Sequence, residues 1–312
     1  VTAVLPLPQD EALWENLHLV FATACGNVRR NKLSDFRNVR ASGLIAMKLE
    51  DGDSLIGVTT CREGDDVMLA TRRGRCIRFQ AEEETLRVFA GRASDGVRGI
   101  RLLGDDRVIS LAVLRHVEAS AGERATYLRH AAQKRRAAGE EVAEPNGAGT
   151  GTAVEEVGEP VEEVAVAPER LDALEAAEEV LLTVTDRGFG KRSSAYEYRV
   201  TGRGGQGITG ITLTPRTGRE VVATFPVRAG DDVMLVTDAG RLIRLPTGQV
   251  RITGRGAQGV TLLRLDDGER VTSCFPVMEE EEAPPAGGEG ADVAGSEGPA
   301  AEPGTGGPDA NA

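Results

Sequence analysis

The sequence is short of the residues that build reactive centres. Its 312 residues include three histidines, four cysteines, three tyrosines and one tryptophan, and aromatics make up only 4%. So few histidines give no basis for a His-ligated metal centre. Cys25, Cys61, Cys76 and Cys274 stand far apart with no C-x-x-C pair. That excludes a zinc ribbon and argues against a disulfide framework, and it fits a reducing cytoplasm. No apolar run approaches the roughly 18–20 residues that a membrane span needs. Val1-Thr2-Ala3-Val4-Leu5-Pro6 shows neither a basic n-region nor a cleavage site, so no secretory signal is visible. The 40% of hydrophobic residues suffice for a core, and the length suits one large domain or two ordinary ones.

Basic residues are missing from one long stretch, and this changes the meaning of the net charge of −12. Glu279 to Ala312 carries nine acidic residues and no basic one, and Arg115 to Glu178 carries fourteen acidic and seven basic. The rest of the chain holds 26 acidic and 30 basic residues. The protein is a mildly basic body with two acidic appendages, which leaves room for a polyanionic partner.

Four segments of the body repeat one pattern. They begin at Leu17, Asp65, Val180 and Asp231, pass through Gly26, Gly74, Gly188 and Gly240, and close on Ile56–Val58, Val108–Leu111, Val221–Val227 and Val271–Val277. Each unit opens with an apolar run such as Val67–Thr71, turns at a glycine, and continues with alternation such as Arg75-Cys76-Ile77-Arg78-Phe79. This is the signature of a β-hairpin. A third strand is expected after the second glycine cluster (Gly99–Leu102, Ile208–Leu213, Val260–Leu265), and the closing apolar run is the fourth. Four strands per roughly 50 residues predict a propeller-like blade, with a strand-rich solenoid as the structural alternative.

The expected organisation is all-β. Residues 1–15 supply the closing strand of an upstream blade whose beginning is absent, so the chain reads as a fragment of a longer protein. Blades span 16–64, 65–114, 179–230 and 231–278. Between the middle two lies an insertion, 115–178, with helices at Ser120–Gly139 and Glu169–Glu178 and a flexible linker at Asn146–Glu163. The Gly-, Pro-, Ala- and Glu-rich tail, 279–312, is expected to be disordered.

Gly202–Gly207 and Gly254–Gly259 both fit G-x-G-x-x-G. A dinucleotide site needs a helix after this motif, but β-rich sequence follows here, and the motif belongs to the repeat. What recurs in that loop is an arginine: Arg40, Arg92, Arg203 and Arg255. A second basic position recurs after the hairpin turn: Arg29 and Arg30, Arg78, Lys191 and Arg192, and Arg244. In a ring of blades one repeat position occupies one radius, so these residues would draw a basic stripe suited to phosphates. The competing reading of each single arginine is a solvated strand face. Asp65-Asp66, Asp105-Asp106 and Asp231-Asp232 resemble metal-binding pairs, but their place before a strand marks them as turn or strand-start residues. Lys134-Arg135-Arg136 reads as a solvated helix end, and Trp14 as packing. No tyrosine has an activating partner in sequence, and no catalytic or metal site is expected.

Ala46–Val58, Gly96–Leu102 and Gly188-Phe189-Gly190-Lys191-Arg192, in this order and spacing, resemble the C-terminal domain of the bacterial DNA gyrase A subunit. The resemblance covers about residues 1–114 and 179–278, and the insertion is similar to that of alphaproteobacterial gyrases. It implies a β-pinwheel, a six-bladed disc of four-stranded blades whose basic rim binds and wraps double-stranded DNA. It also implies a place in an assembly of two A and two B subunits that supercoils DNA with ATP and Mg2+, in the cytoplasm at the nucleoid. Those cofactors and the catalytic tyrosine belong to other parts of that assembly. The family's wrapping heptad, Gln-Arg-Arg-Gly-Gly-Lys-Gly, belongs to the first blade. Thr201–Gly207 is a degenerate relative that lacks the arginine pair and the lysine. The equivalent domain of topoisomerase IV is the nearest alternative. A protein-interaction propeller is a second, and an enzyme with a central-channel site a third.

Overall fold

The computed structural model describes residues 4–39, 42–139 and 164–277. The expected linker Asn146–Glu163, the tail from Glu279 and Arg40 lie outside these residues.

The first unit contributes β1 (His18–Thr23), β2 (Asn27–Lys32) and β3 (Leu55–Cys61), and the second β4 (Asp66–Thr71), β5 (Arg75–Gln80), β6 (Val97–Arg98) and β7 (Val108–Leu114). Two helices follow, α1 (Ala121–Ala137) and α2 (Pro168–Ala176). The third unit holds β8 (Val180–Thr185), β9 (Phe189–Ser194), β10 (Ile208–Thr209) and β11 (Val221–Val227). The fourth holds β12 (Asp232–Thr237), β13 (Leu242–Pro246), β14 (Val260–Thr261) and β15 (Val271–Val277). The sheets run β3-β1-β2-β6, β11-β8-β9-β14 and, for the second unit, β10-β5-β4-β7; the fourth is β13-β12-β15. All ladders between named strands are antiparallel. The all-β, four-bladed architecture stands as expected.

The strand assignment within a blade does not. Each unit supplies three strands to its own sheet, and the short outer strand crosses to the preceding one: β6 pairs with β2, β10 with β5 and β14 with β9. These strands are two residues long and precede or overlap the start of the expected runs. The closing strands β3, β7, β11 and β15 neighbour one another in that order and form the inner row, which leaves β6, β10 and β14 at the outer edge.

A two-residue ladder is too short to join blades alone, and the hairpin glycine reinforces it. The Gly26 carbonyl accepts from Gly99 N–H (2.8 Å) and Ile100 N–H (3.2 Å). The carbonyls of Gly74 and Gly188 accept matching pairs from Gly210 and Ile211 and from Leu262 and Leu263. Gly26 has φ +90°, and a Cβ there would sit 2.9 Å from the Ile100 carbonyl oxygen. Glycine is therefore required twice over, by conformation and by approach. The first amide of each following closing strand adds one more bond to the previous turn: Val108 to Ala24, Val221 to Arg72 and Val271 to Asp186.

The apolar faces meet between blades. One cluster joins Val20, Val28, Val67, Leu69, Ile77, Phe79 and Ile100 of the first two blades, and another joins Leu182, Val184, Val233, Leu235 and Val271 of the last two. Met68, Leu114, Leu181 and Tyr198 bridge the middle pair.

The segment expected to close an upstream blade forms no strand from Val4 onward. Among the described residues β1, the first strand of the nearest blade, already has β2 and β3 on its two edges, which leaves this segment no strand to pair with. Leu5 and Trp14 instead pack against the buried cluster of Leu19, Phe21, Leu33 and Met47, and the Trp14 indole N–H donates to the Pro8 carbonyl (2.9 Å). The predicted helices form. A capping box starts α1, with the Ser120 hydroxyl accepting from Glu123 N–H (3.1 Å) and Glu123 accepting from Ser120 N–H (2.8 Å). Pro168 starts α2. The pair is seated on the third blade through an edge-to-face contact of Tyr127 and Tyr196, 5.2 Å between centroids.

Gly207 tests the close-approach argument. Its φ is +69°, and a Cβ would lie 2.3 Å from the Cys76 carbonyl oxygen, whereas nothing lies within 4 Å at Gly256 in the matching loop of the fourth unit. Gly207→Ala is expected to cost about 2 kcal/mol or more in denaturant unfolding, and Gly256→Ala to stay within about 1 kcal/mol.

Candidate nucleic-acid interface

The basic positions after the hairpin turn are mostly interior. Arg30, Arg78 and Arg192 lie in β2, β5 and β9 with relative exposures of 0%, 6% and 8%. Each reaches into the next blade and donates to a backbone carbonyl there: Arg30 to Ala81 (2.6 Å), Arg78 to Ala195 (2.7 Å) and Arg192 to Val250 (2.5 Å). Their backbones pair in parallel bridges with Val88, Val200 and Ile252. Arg78 also closes a buried ion pair with Asp66 (2.7 Å), whose other oxygen meets His116 Nδ1 (3.0 Å). Arg30 pairs with Glu63 at 2.7 Å. Arg244 is the fourth member of this series. It pairs with Asp232 on its own blade, and its side chain is 54% exposed.

The neighbouring cations are interior too. Arg29 is fully buried, donates to the Ser94 carbonyl (2.7 Å) and lies 5.4 Å from the centre of the Phe89 ring. Burial, with a smaller contribution from Arg92, lowers its pKa. Lys191 is fully buried and donates to the carbonyls of Gly254 (2.9 Å) and Arg255. Burial pulls its ammonium pKa down to about 7, against the attraction of Glu197. Burial also raises the Glu197 carboxyl, which accepts from Arg255 N–H. Lys191 and Glu197 thus fix the loop that carries Arg255. Both Arg29 and Lys191 act on the following unit's glycine-rich loop.

The loop arginines are the outer members. Arg92 and Arg203 are exposed and Arg255 is half-buried. Arg203 donates to the carbonyls of Thr85 (2.5 Å) and Arg98 (3.1 Å), and Arg255 to that of Thr209. Arg92 donates to the Asp35 carbonyl (3.2 Å) and stands 5.9 Å from the Phe36 ring centre. Carbonyls and ring faces orient the guanidiniums of Arg92 and Arg203 without neutralising them, so these two charges remain effective toward an anion. The structure therefore separates the ten sequence candidates. Five face the interior between blades (Arg29, Arg30, Arg78, Lys191 and Arg192), and Arg92, Arg203, Arg244 and Arg255 keep an outward position. Arg40 lies outside the described residues.

The other motifs fall into place locally. Asp65 and Asp231 accept from Arg62 and Arg228 N–H (2.7 Å each) and shape the turns before β4 and β12. Lys134 and Arg135 pair with Glu175 and Glu178 and tie α1 to α2. Sequence reasoning missed the roles of His116, which lies in the insertion, and of Glu197, which lies within the third unit.

Arg78→Met should leave Asp66 buried beside His116 alone and cost about 3–5 kcal/mol. Arg244→Met, at the same repeat position but exposed, should cost no more than about 1 kcal/mol. Urea unfolding of both variants checks this contrast. A pH series checks Lys191. The unfolded chain keeps the lysine proton up to its usual value near 10.5, while the native lysine releases it from about 7. Stability contributed by this group therefore rises with pH above 7. Burial raises the Cys61 and Cys274 thiols from 9.0 to about 12, which opposes that rise above pH 9. Between pH 7 and about 8.5 the wild-type unfolding free energy should climb, and in Lys191→Met the climb should vanish.

Comparison with known proteins agrees with the repeat. The family described as "DNA gyrase C-terminal domain, beta-propeller" matches residues 17–62, 65–115, 179–228 and 231–278. The DNA gyrase A subunit of Granulibacter bethesdensis is 68% identical over 281 residues, covering 90% of this chain and 30% of that protein. Its counterpart in Rickettsia bellii is 45% identical (89% and 29%), and that in Salmonella typhimurium 33% (89% and 24%). The chain thus spans about 30% of the length of the first two of these relatives. A solved DNA gyrase A C-terminal domain has the same fold at TM-score 0.58 and 20% identity, covering 86% of this chain and 68% of that one. A topoisomerase IV C-terminal domain does so at 0.60 and 17%, covering 86% and 64%. Four matched repeats that coincide with four blades, together with this identity, show that the chain belongs to the family of DNA gyrase C-terminal domains.

Proposed function

We propose that this chain binds duplex DNA along the outer edge of its blades and, within a gyrase holoenzyme, wraps it for ATP-dependent negative supercoiling. The observation that carries the reading is the placement of Arg92, Arg203 and Arg255. They recur on glycine-rich loops beside the outer strands, and backbone carbonyls orient their guanidiniums. Such an array suits a regular line of phosphates and offers no recognition helix for base edges, so binding is sequence-independent. The partners in this reading are double-stranded DNA, the remainder of the gyrase A polypeptide, and gyrase B in an A2B2 heterotetramer at the nucleoid. ATP and Mg2+ act on those other parts. The same fold occurs in a topoisomerase IV domain, but the 68% identity to a gyrase A polypeptide favours gyrase. Among the described residues no helix is long and apolar enough to cross a membrane.

Titration of random-sequence duplex at rising salt tests the proposal. Log affinity should fall linearly with log salt, by about 0.9 per phosphate neutralised. Arg203→Ala with Arg255→Ala should weaken all sequences alike and flatten that slope. A changed sequence preference, or a salt-independent affinity in the unaltered chain, would contradict the reading.

A further inference from the structure

The parallel bridges between blades generate a row of cations that lies outside the candidate set above. Val88, Val200 and Ile252 each bridge to the buried arginine of the preceding blade, and the residue after each donates its N–H to that arginine's carbonyl. These bonds are Phe89 to Arg30 (2.7 Å), Thr201 to Arg78 (2.8 Å) and Thr253 to Arg192 (2.8 Å). The residue before each bridge is an arginine: Arg87, Arg199 and Arg251. The backbone of all three is thus set by the same two contacts, on the outer side of β2, β5 and β9. Arg87 and Arg199 are exposed and Arg251 half-exposed. Arg87 also lies 4.8 Å from the centre of the Phe89 ring, whose vicinity holds the buried Arg29 as well. Four or five residues further on come Arg92, Arg203 and Arg255. Each blade boundary therefore presents two arginines, one just before a glycine-rich loop and one at its start.

We infer that Arg87, Arg199 and Arg251 form a second phosphate-contacting row, so that every boundary grips the DNA backbone with two cations. This rests on the DNA-binding reading and adds its second half. The internal arginines Arg30, Arg78 and Arg192 do not touch DNA in this assignment. They are positioning residues, whose carbonyls and bridges hold the outer row at one repeat position. The row differs from the other exposed arginine series, Arg62, Arg115 and Arg228, which directly follows the inner closing strands and supplies a charge-matched control.

The test is a salt titration of random-sequence duplex, from about 50 to about 200 mM, with the full chain and two triple variants. Arg87→Gln/Arg199→Gln/Arg251→Gln should lower the slope of log affinity against log salt by up to about 2.7, one phosphate per arginine. Arg62→Gln/Arg115→Gln/Arg228→Gln removes the same charge and should leave most of the slope. The lysine versions of the outer triple should restore it, because the contact is charge rather than shape. An unchanged slope in the outer triple, with steep salt dependence in the unaltered chain, would overturn this assignment alone. An equal fall in both triples would do the same, since a diffuse field would then explain the binding. A flat slope in the unaltered chain would overturn the DNA reading itself. Melting temperatures verify folding, and if the outer triple does not fold, Arg199→Gln alone should lower the slope by about 0.9.

Discussion

Each of the first three blades is completed by its successor, and this exchange rests on a small set of contacts at each boundary. A two-residue ladder, a glycine carbonyl that accepts two amides, and a buried arginine that donates across the gap act together. None suffices alone. Two-residue strands are below the length at which a ladder is stable, and a buried guanidinium without acceptors would carry a heavy desolvation cost. Together they join the apolar faces of neighbouring blades into a continuous interior.

That arrangement explains why the surface chemistry is orderly. The buried arginine fixes the backbone of the loop that follows in the next unit, and that loop carries the outward cations. Arg29 and Lys191 perform a related task on the glycine-rich loops, through Ser94 in one case and Gly254 and Arg255 in the other. At the corresponding place β5 has Ile77, and the loop there is held instead by Arg203 reaching back to Thr85 and Arg98. The interior and exterior charges are therefore coupled mechanically, although only the exterior ones face solvent.

Much of this was legible in the sequence, because period, alternation and turn glycines are local signals. The four units, the hairpins and both helices follow from them. The strand exchange was not legible, since a run of residues that pairs within its own unit and one that pairs with the previous unit have the same alternation. The basic series was read correctly as a repeat but could not be sorted by burial. Arg78 and Arg244 occupy the same repeat position, yet one is enclosed by the next blade and the other is 54% exposed. Likewise Val1–Leu7 has the composition of a closing strand, but only an available first strand could have made Val4–Leu7 one. His116 carries no periodic signal, and the role of Glu197, at a repeat position that also holds Asp35 and Glu83, arises from its proximity to Lys191 and Arg255.

The open outer edge of β13 gives the array a polarity. Among the described residues β13 pairs only with β12, and Leu242 on it is 59% exposed. Because each joint links only consecutive units, the stability of the whole resembles a chain of nearest-neighbour terms, and a unit with one joint has fewer of them than a unit with two. Among the described residues, amides of β13, bonded on one side, should then exchange with solvent before those of β5, bonded on both. In this picture the protein behaves less as one cooperative globule than as a short polymer of blades whose grip on its own neighbours sets the order in which it comes apart.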